Sequence, residues 1–184
     1  MTIVSFQNLS DEHEHVAVLF DSPPAGPEPL VRVHSECLTG DVLGSARCDC
    51  GPQLRESVQR LTREGGILLY LRQEGRGIGL YNKLESYGLQ DLGHDTFEAN
   101  RALHFPDDMR DYRVAAEMLT ALGVPAIRLL SNNPDKERQL RSYGIDIRER
   151  QPTGVFATRA NHRYLEAKMR LAGHEIADHE LVVD

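Results

Sequence analysis

The chain has three cysteines, Cys37, Cys48 and Cys50, and all of them fall within fourteen positions in the stretch ECLTGDVLGSARCDCG. Three thiolates that meet at one point leave a vacant corner on a tetrahedral zinc. A catalytic zinc keeps that corner for water, whereas a structural zinc closes it with a fourth protein ligand. Other uses of the same residues stand beside this one. Small buried cysteines are ordinary core residues, and thiols also serve redox chemistry. A disulfide would leave one thiol over, and a bridge between Cys48 and Cys50, one residue apart, would be strained.

Four segments combine charge, glycine and the ends of strand-like runs. Arg32, His34 and Glu36 lead directly into Cys37. Arg72-Gln73-Glu74-Gly75-Arg76-Gly77-Ile78-Gly79 reads as a strand-to-helix turn whose glycines let backbone N–H groups approach an anion, although many such turns only connect elements. Asp107-Asp108-Met109-Arg110-Asp111 precedes a helix, and on its own reads most simply as acidic residues at a helix start. Ser131-Asn132-Asn133-Pro134-Asp135-Lys136 lies where a strand gives way to a helix. That is a common ligand position in α/β proteins, and also a good helix cap.

The elements that must hold these segments alternate. HVAVLF (15–20), LVRVHSE (30–36), GILLYLRQ (66–73), AIRLLS (126–131) and IDIRER (145–150) read as strands, and SPPAGPEP (22–29) as a Pro-rich surface loop. Leu54, Val58 and Leu61 recur at helical spacing until Gly65-Gly66 stops them. Leu80, Leu84 and Tyr87 suggest a helix ended near Gly88, and Thr96 a cap for a short helix carrying Phe97, Ala99 and Leu103. Val114, Met118 and Leu122 mark a helix closed by Gly123. Asn133-Pro134 supplies a cap and a first-turn proline for the next, which ends at Gly144. A last amphipathic helix lies near Tyr164 to Ala172. The expectation is α/β: one mixed-sheet domain, residues 1–184, with helices packed on the sheet.

Composition narrows the class. A length of 184 residues with 40% hydrophobic and 27% charged residues suits one soluble globular domain. No apolar run reaches membrane-spanning length and the N-terminus is acidic rather than signal-like, so a reducing cytoplasm is expected and a membrane is not. A net charge of −7 argues against a nucleic-acid surface. It leaves room for a small anion held by a few arginines in a concave site.

In this order, the segments resemble GTP cyclohydrolase II, the enzyme that opens riboflavin biosynthesis. The matching stretches are VRVHSECLTGDVLGSARCDCGPQL, GILLYLRQEGRGIGLYNKLESYGLQD, DTFEANRALHF with DDMRDY, RLLSNNPDK and NHRYLEAKMRLAGH, with a core match of about 31–174. The resemblance implies a homodimer that converts GTP to 2,5-diamino-6-(5-phosphoribosylamino)pyrimidin-4(3H)-one, releasing formate and pyrophosphate. It implies one zinc per subunit on Cys37, Cys48, Cys50 and a water, with Mg²⁺ on the triphosphate. The GTP contacts carried over are Arg32, Val33, His34, Ser35, Glu36, Gln53, Glu74, Gly75, Arg76, Thr96, Ser131 and Lys136. Asp108 and Arg110 match proposed acid–base and nucleophilic positions, and Tyr87 a tyrosine beside the guanine.

The residue types suit that chemistry. Water must attack C8 of the guanine, a poorly electrophilic carbon, which a zinc-activated water can do at neutral pH. Tyr87 has a phenol able to orient or protonate the opening ring, and Glu74 and Gln53 are candidates to read the guanine edge. Arg110 is either the phosphorus nucleophile the family suggests or a phosphate clamp. Ser131 stands where threonine is frequent and keeps the hydroxyl. The chain starts only about a dozen residues before HEHVAVLF, where members of the family commonly carry a further segment, so the N-terminal sheet edge and part of a dimer contact are expected to differ. No fused dihydroxybutanone-phosphate synthase domain is expected. A paralogue stopping at a formamidopyrimidine and a zinc-stabilised nucleotide sensor are the alternative readings.

Overall fold

The computed structural model describes residues 1–21, 28–94 and 96–176. Its single sheet has six strands: β1 (Thr2–Ser5), β2 (Val16–Phe20), β3 (Leu30–Ser35), β4 (Gly66–Leu71), β5 (Ala126–Leu130) and β6 (Asp146–Gln151). The spatial order is β1-β2-β4-β3-β5-β6. Pairing is antiparallel for β1 with β2 and β2 with β4, and parallel for β3 with β5 and β5 with β6, which makes the sheet mixed. The helices are α1 (Leu38–Asp41), α2 (Cys50–Glu64), α3 (Leu80–Asp91), α4 (Thr96–Ala102), α5 (Arg113–Ala121), α6 (Pro134–Ser142) and α7 (His162–Ala172). The mixed α/β class expected from the alternating pattern is the one observed.

The chain divides into two compact units. The first is formed by the described residues of 1–34, 53–72 and 111–154, and its core lies on both faces of the sheet. Val31, Val33, Ile67, Leu69, Ile127 and Leu129 meet Val114, Met118, Leu119 and Leu140 of α5 and α6 on one side. Leu30, Leu68 and Leu130 meet Leu54, Val58 and Leu61 of α2 on the other. Successive strand residues point to opposite faces. That is why GILLYL reads as an unbroken apolar run: β4 is covered on both sides. Gly65, at φ +72, closes α2, and a Cβ on Gly66 would come within 2.2 Å of the Leu30 carbonyl oxygen. Asn133 Oδ1 accepts from Asp135 N at 2.9 Å and caps α6 as its sequence suggests.

The second unit takes the described residues of 35–52, 73–110 and from 155 onward. Here α3 packs on α4 and α4 on α7, and Leu165 of α7 forms a small core with Ile176, against which Val155, Ala157, Tyr164 and Met169 pack.

Three expectations change. The strand β1 has no counterpart in the sequence reading: its burial is slight, Ile3 being 66% exposed, so no alternating pattern marks it. Helix α3 runs past Gly88 to Asp91, since a glycine in a helix interior costs only about 1 kcal/mol and need not end it. Thr96 opens α4 as its first helical residue and does not precede it. The Pro-rich loop falls largely on residues 22–27, outside the described residues.

Candidate active site

The three cysteines converge in the second unit. Cys37 follows β3 and precedes α1, while Cys48 lies on the turn into α2 and Cys50 is the first residue of that helix. Their sulfurs lie within 4.8 Å of one another, with Cys37 Sγ 3.6 Å from Cys48 Sγ. Among the described residues this is the one cluster of three or more Cys, His, Asp or Glu side chains placed to share a metal ion. A zinc with Zn–S bonds of about 2.3 Å spaces its sulfurs by about 3.8 Å, so the cluster has the size such an ion needs. Gly40 of α1 makes the convergence possible: a Cβ there would sit 2.8 Å from Cys48 Sγ, 3.1 Å from Cys37 Sγ and 3.2 Å from Cys50 Cβ.

The thiols are electrostatically unequal. Hydrogen bonds from Cys48 and then Cys50, together with the charge of Lys83, push the Cys37 thiol far below its ordinary range against the opposing effect of burial. Cys48, facing the Cys37 sulfur, is pushed up to about 11, and Cys50 also rises.

Helix α3 brings two side chains to the cluster from one face. Lys83 Nζ donates to Cys37 Sγ at 3.1 Å and to Glu74 Oε1 at 2.7 Å. One turn on, Tyr87 OH lies 2.9 Å from Thr39 Oγ1, and burial pushes its phenol above the usual tyrosine range. The Arg47 guanidinium lies 4.9 Å from the centre of the Tyr87 ring and pairs with Asp91 at 2.8 Å. From α7, Tyr164 OH reaches to 3.9 Å from Cys50 Sγ, and Lys168 Nζ pairs with the fully buried Asp49 at 2.8 Å.

The glycine-rich turn (74–79) and residues 107–110 of the acidic segment meet in the same unit. Gly75 and Arg76 both hold φ +62, ψ 31, an uncommon conformation for arginine. The Arg76 carbonyl accepts from Met109 N at 3.0 Å, and a Cβ on Gly77 (φ +93) would lie 3.0 Å from Met109 Cβ. The turn thus packs on the residue that separates Asp108 from Arg110. Arg110 Nε donates to Asp108 Oδ1 at 2.9 Å. Burial alone would raise the Asp108 carboxyl, but the hydrogen bonds and charge of Arg110 hold it below the usual carboxylate range. Desolvation lowers the pKa of the half-buried Arg76 guanidinium, which lies within electrostatic range of Tyr164, Arg110, Asp108 and Cys50. Arg76 is thus in electrostatic reach of the thiol cluster and of the Asp108–Arg110 pair.

Glu74 is committed to the fold around it: Oε2 accepts from Leu38 N at 2.7 Å, and Oε1 from Gly75 N at 2.8 Å as well as from Lys83. Ser35 Oγ donates to Gln73 Oε1 at 3.4 Å and Glu36 is half-buried.

Apart from Thr96, the remaining expected contacts lie in the first unit. Arg32 Nη2 donates to Gln53 Oε1 and Nη1 to the Leu130 carbonyl, both at 3.2 Å, and Gln53 Nε2 donates to the Gly154 carbonyl. Lys136 Nζ donates to the Val33 carbonyl at 2.7 Å, while the Val33 side chain lies in the core. Ser131 Oγ accepts from Asn133 N at 3.0 Å, and His34 stacks on Tyr70 with centroids 5.5 Å apart. The Thr96 side chain lies outside the described residues. Lys83, Gly40, Asp49, Tyr164 and Lys168 escaped the sequence reading. The four-residue spacings of Lys83 with Tyr87 and of Tyr164 with Lys168, each on one helix face, were the available signal.

Comparison with known proteins agrees with this geometry. A family model described as GTP cyclohydrolase II matches residues 1–152. The chain is 54% identical over 175 residues to a GTP cyclohydrolase-2 of Vibrio vulnificus, covering 95% of this chain and 88% of the relative. The figures for the GTP cyclohydrolase-2 of Vibrio cholerae are the same. It is also 53% identical over 174 residues to the riboflavin biosynthesis protein RibBA of Bacillus subtilis, covering 94% of this chain and 44% of that longer relative.

Proposed function

Because this chain belongs to the GTP cyclohydrolase II family, we propose that it hydrolyses GTP to 2,5-diamino-6-(5-phosphoribosylamino)pyrimidin-4(3H)-one, formate and pyrophosphate, as the entry reaction of riboflavin biosynthesis. The observation that carries the mechanism is the set of three thiols within 4.8 Å, with no fourth Cys, His, Asp or Glu joining it among the described residues. A set of three suits a zinc that works, and a set of four a zinc that only braces. Cys37, Cys48 and Cys50 would hold the ion, one per subunit. Bound there, zinc supplies the Lewis acidity that hydration of C8 and release of formate require.

The chain's own groups supply the rest. Tyr87, kept protonated by burial, orients or protonates the opening ring. Arg110 acts at the α-phosphate, its guanidinium plane fixed by Asp108. Arg76, at the head of the glycine turn, adds positive charge to the same end, and Mg²⁺ accompanies the triphosphate. Arg32, Gln53, Ser131 and Lys136, with the RVHSE and EGR segments and Thr96, complete the nucleotide contacts. Residues 1–184 act as one catalytic domain, in a cytoplasmic homodimer. No helix among the described residues is long and apolar enough to cross a membrane.

Incubating the purified protein with GTP, Mg²⁺ and zinc tests the proposal. The three products should appear in equal amounts. A folded, zinc-loaded sample that forms none of them refutes the enzyme reading, and ring-opened material that keeps its formyl group points instead to the formamidopyrimidine-forming paralogue.

A further inference from the structure

A charged side chain that hydrogen-bonds directly to the thiol cluster is Lys83, which is neither a metal ligand nor one of the nucleotide contacts named above. Its ammonium has three donors. One is directed at Cys37 Sγ (3.1 Å) and one at Glu74 Oε1 (2.7 Å), on a side chain only 13% exposed. Glu74 is itself anchored by Leu38 N, the amide that follows Cys37. The result is a closed loop from the Cys37 sulfur through Lys83 and Glu74 back to the Leu38 backbone, so Lys83 cannot drift without breaking the contacts of a buried carboxylate.

We propose that Lys83 is a positioning residue for the reaction centre, holding the Cys37 thiolate by a charge-assisted N–H···S bond and drawing off part of its electron density. This rests on the reading that the three thiols bind a metal ion. Cys48 and Cys50 receive no such bond from Lys83, so the three sulfurs become unequal donors. A sulfur that shares its lone pairs with an ammonium gives less charge to an ion, and the ion keeps more of its Lewis acidity. The same ammonium lies 5.9 Å from the centre of the Tyr87 ring, one helical turn away, which ties the phenol's location to that of Cys37.

Replacing zinc by Co²⁺ makes the sulfur donors visible through their sulfur-to-metal charge-transfer band. Lys83→Met should still bind one equivalent of Co²⁺ but move that band to lower energy, because the Cys37 thiolate becomes easier to oxidise. With zinc, kcat should fall about 10- to 100-fold while KM for GTP stays within about twofold. Lys83→Arg, which keeps a donor, should hold the band near the wild-type position. If Lys83→Met does not fold, Lys83→Leu carries the same test. A cobalt band unmoved when the ammonium is removed overturns the role of Lys83 alone. A wild-type protein that shows no thiolate-to-cobalt band overturns the metal reading, and this proposal with it.

Discussion

Gly40→Ala sets packing against backbone propensity at the centre of the site. Gly40 lies in α1 and has no positive φ, so its backbone does not require glycine. Propensity alone would make alanine favourable by up to about 1 kcal/mol. Packing says the opposite. The new Cβ would lie 2.8 Å from Cys48 Sγ, where ordinary contact starts at 3.4 Å, so that sulfur must recede by about 0.6 Å. Cys37 Sγ at 3.1 Å and Cys50 Cβ at 3.2 Å close the other directions. Overpacking of this kind costs about 1–3 kcal/mol, and ligand distances in a metal site tolerate only about 0.2 Å. Zinc affinity should therefore fall about 5- to 150-fold, read by competition against a chromophoric chelator. Gly88→Ala is the control: it is helical, nothing lies within 4 Å of its Cβ, and it should leave affinity unchanged while adding up to about 1 kcal/mol of stability. A Gly40→Ala protein that holds zinc as tightly as wild type would refute the claim that the cysteines close on this glycine.

Two further changes probe the surroundings. Lys168→Met strands the fully buried Asp49 carboxylate between two of the cysteines. It should cost about 3–5 kcal/mol in urea unfolding, and Asp49→Asn in the same chain should restore most of it; a single-variant loss below about 1 kcal/mol would contradict the pairing. Arg110→Ala should slow pyrophosphate release from GTP about 100-fold or more, and unchanged release would remove Arg110 from the phosphate step.

Much of this was legible because periodicity and punctuation agreed. Asn133-Pro134, Gly65-Gly66 and the GILLYL run each encode a local conformation that the fold then uses. β1 was not legible, since an edge strand exposed on most of its length leaves no alternation in its sequence. Gly88 misled for a related reason: glycine permits a helix end without compelling one. The cysteine cluster showed itself through composition, and Asp108, Arg110 and Tyr87 through resemblance. The groups that brace the site did not. Lys83 meets Cys37 across 46 positions, and Lys168 meets Asp49 across 119, and no local pattern records which distant carboxylate or thiolate a buried lysine meets.

The central claim is that the three-thiol cluster opens the guanine ring, while the Arg110 end of the site handles the phosphates. Measuring formate and pyrophosphate from GTP side by side in Cys48→Ser tests it most directly. The account predicts that formate release disappears while hydrolysis at the α-phosphate persists. Formate release that survives loss of the zinc would contradict it.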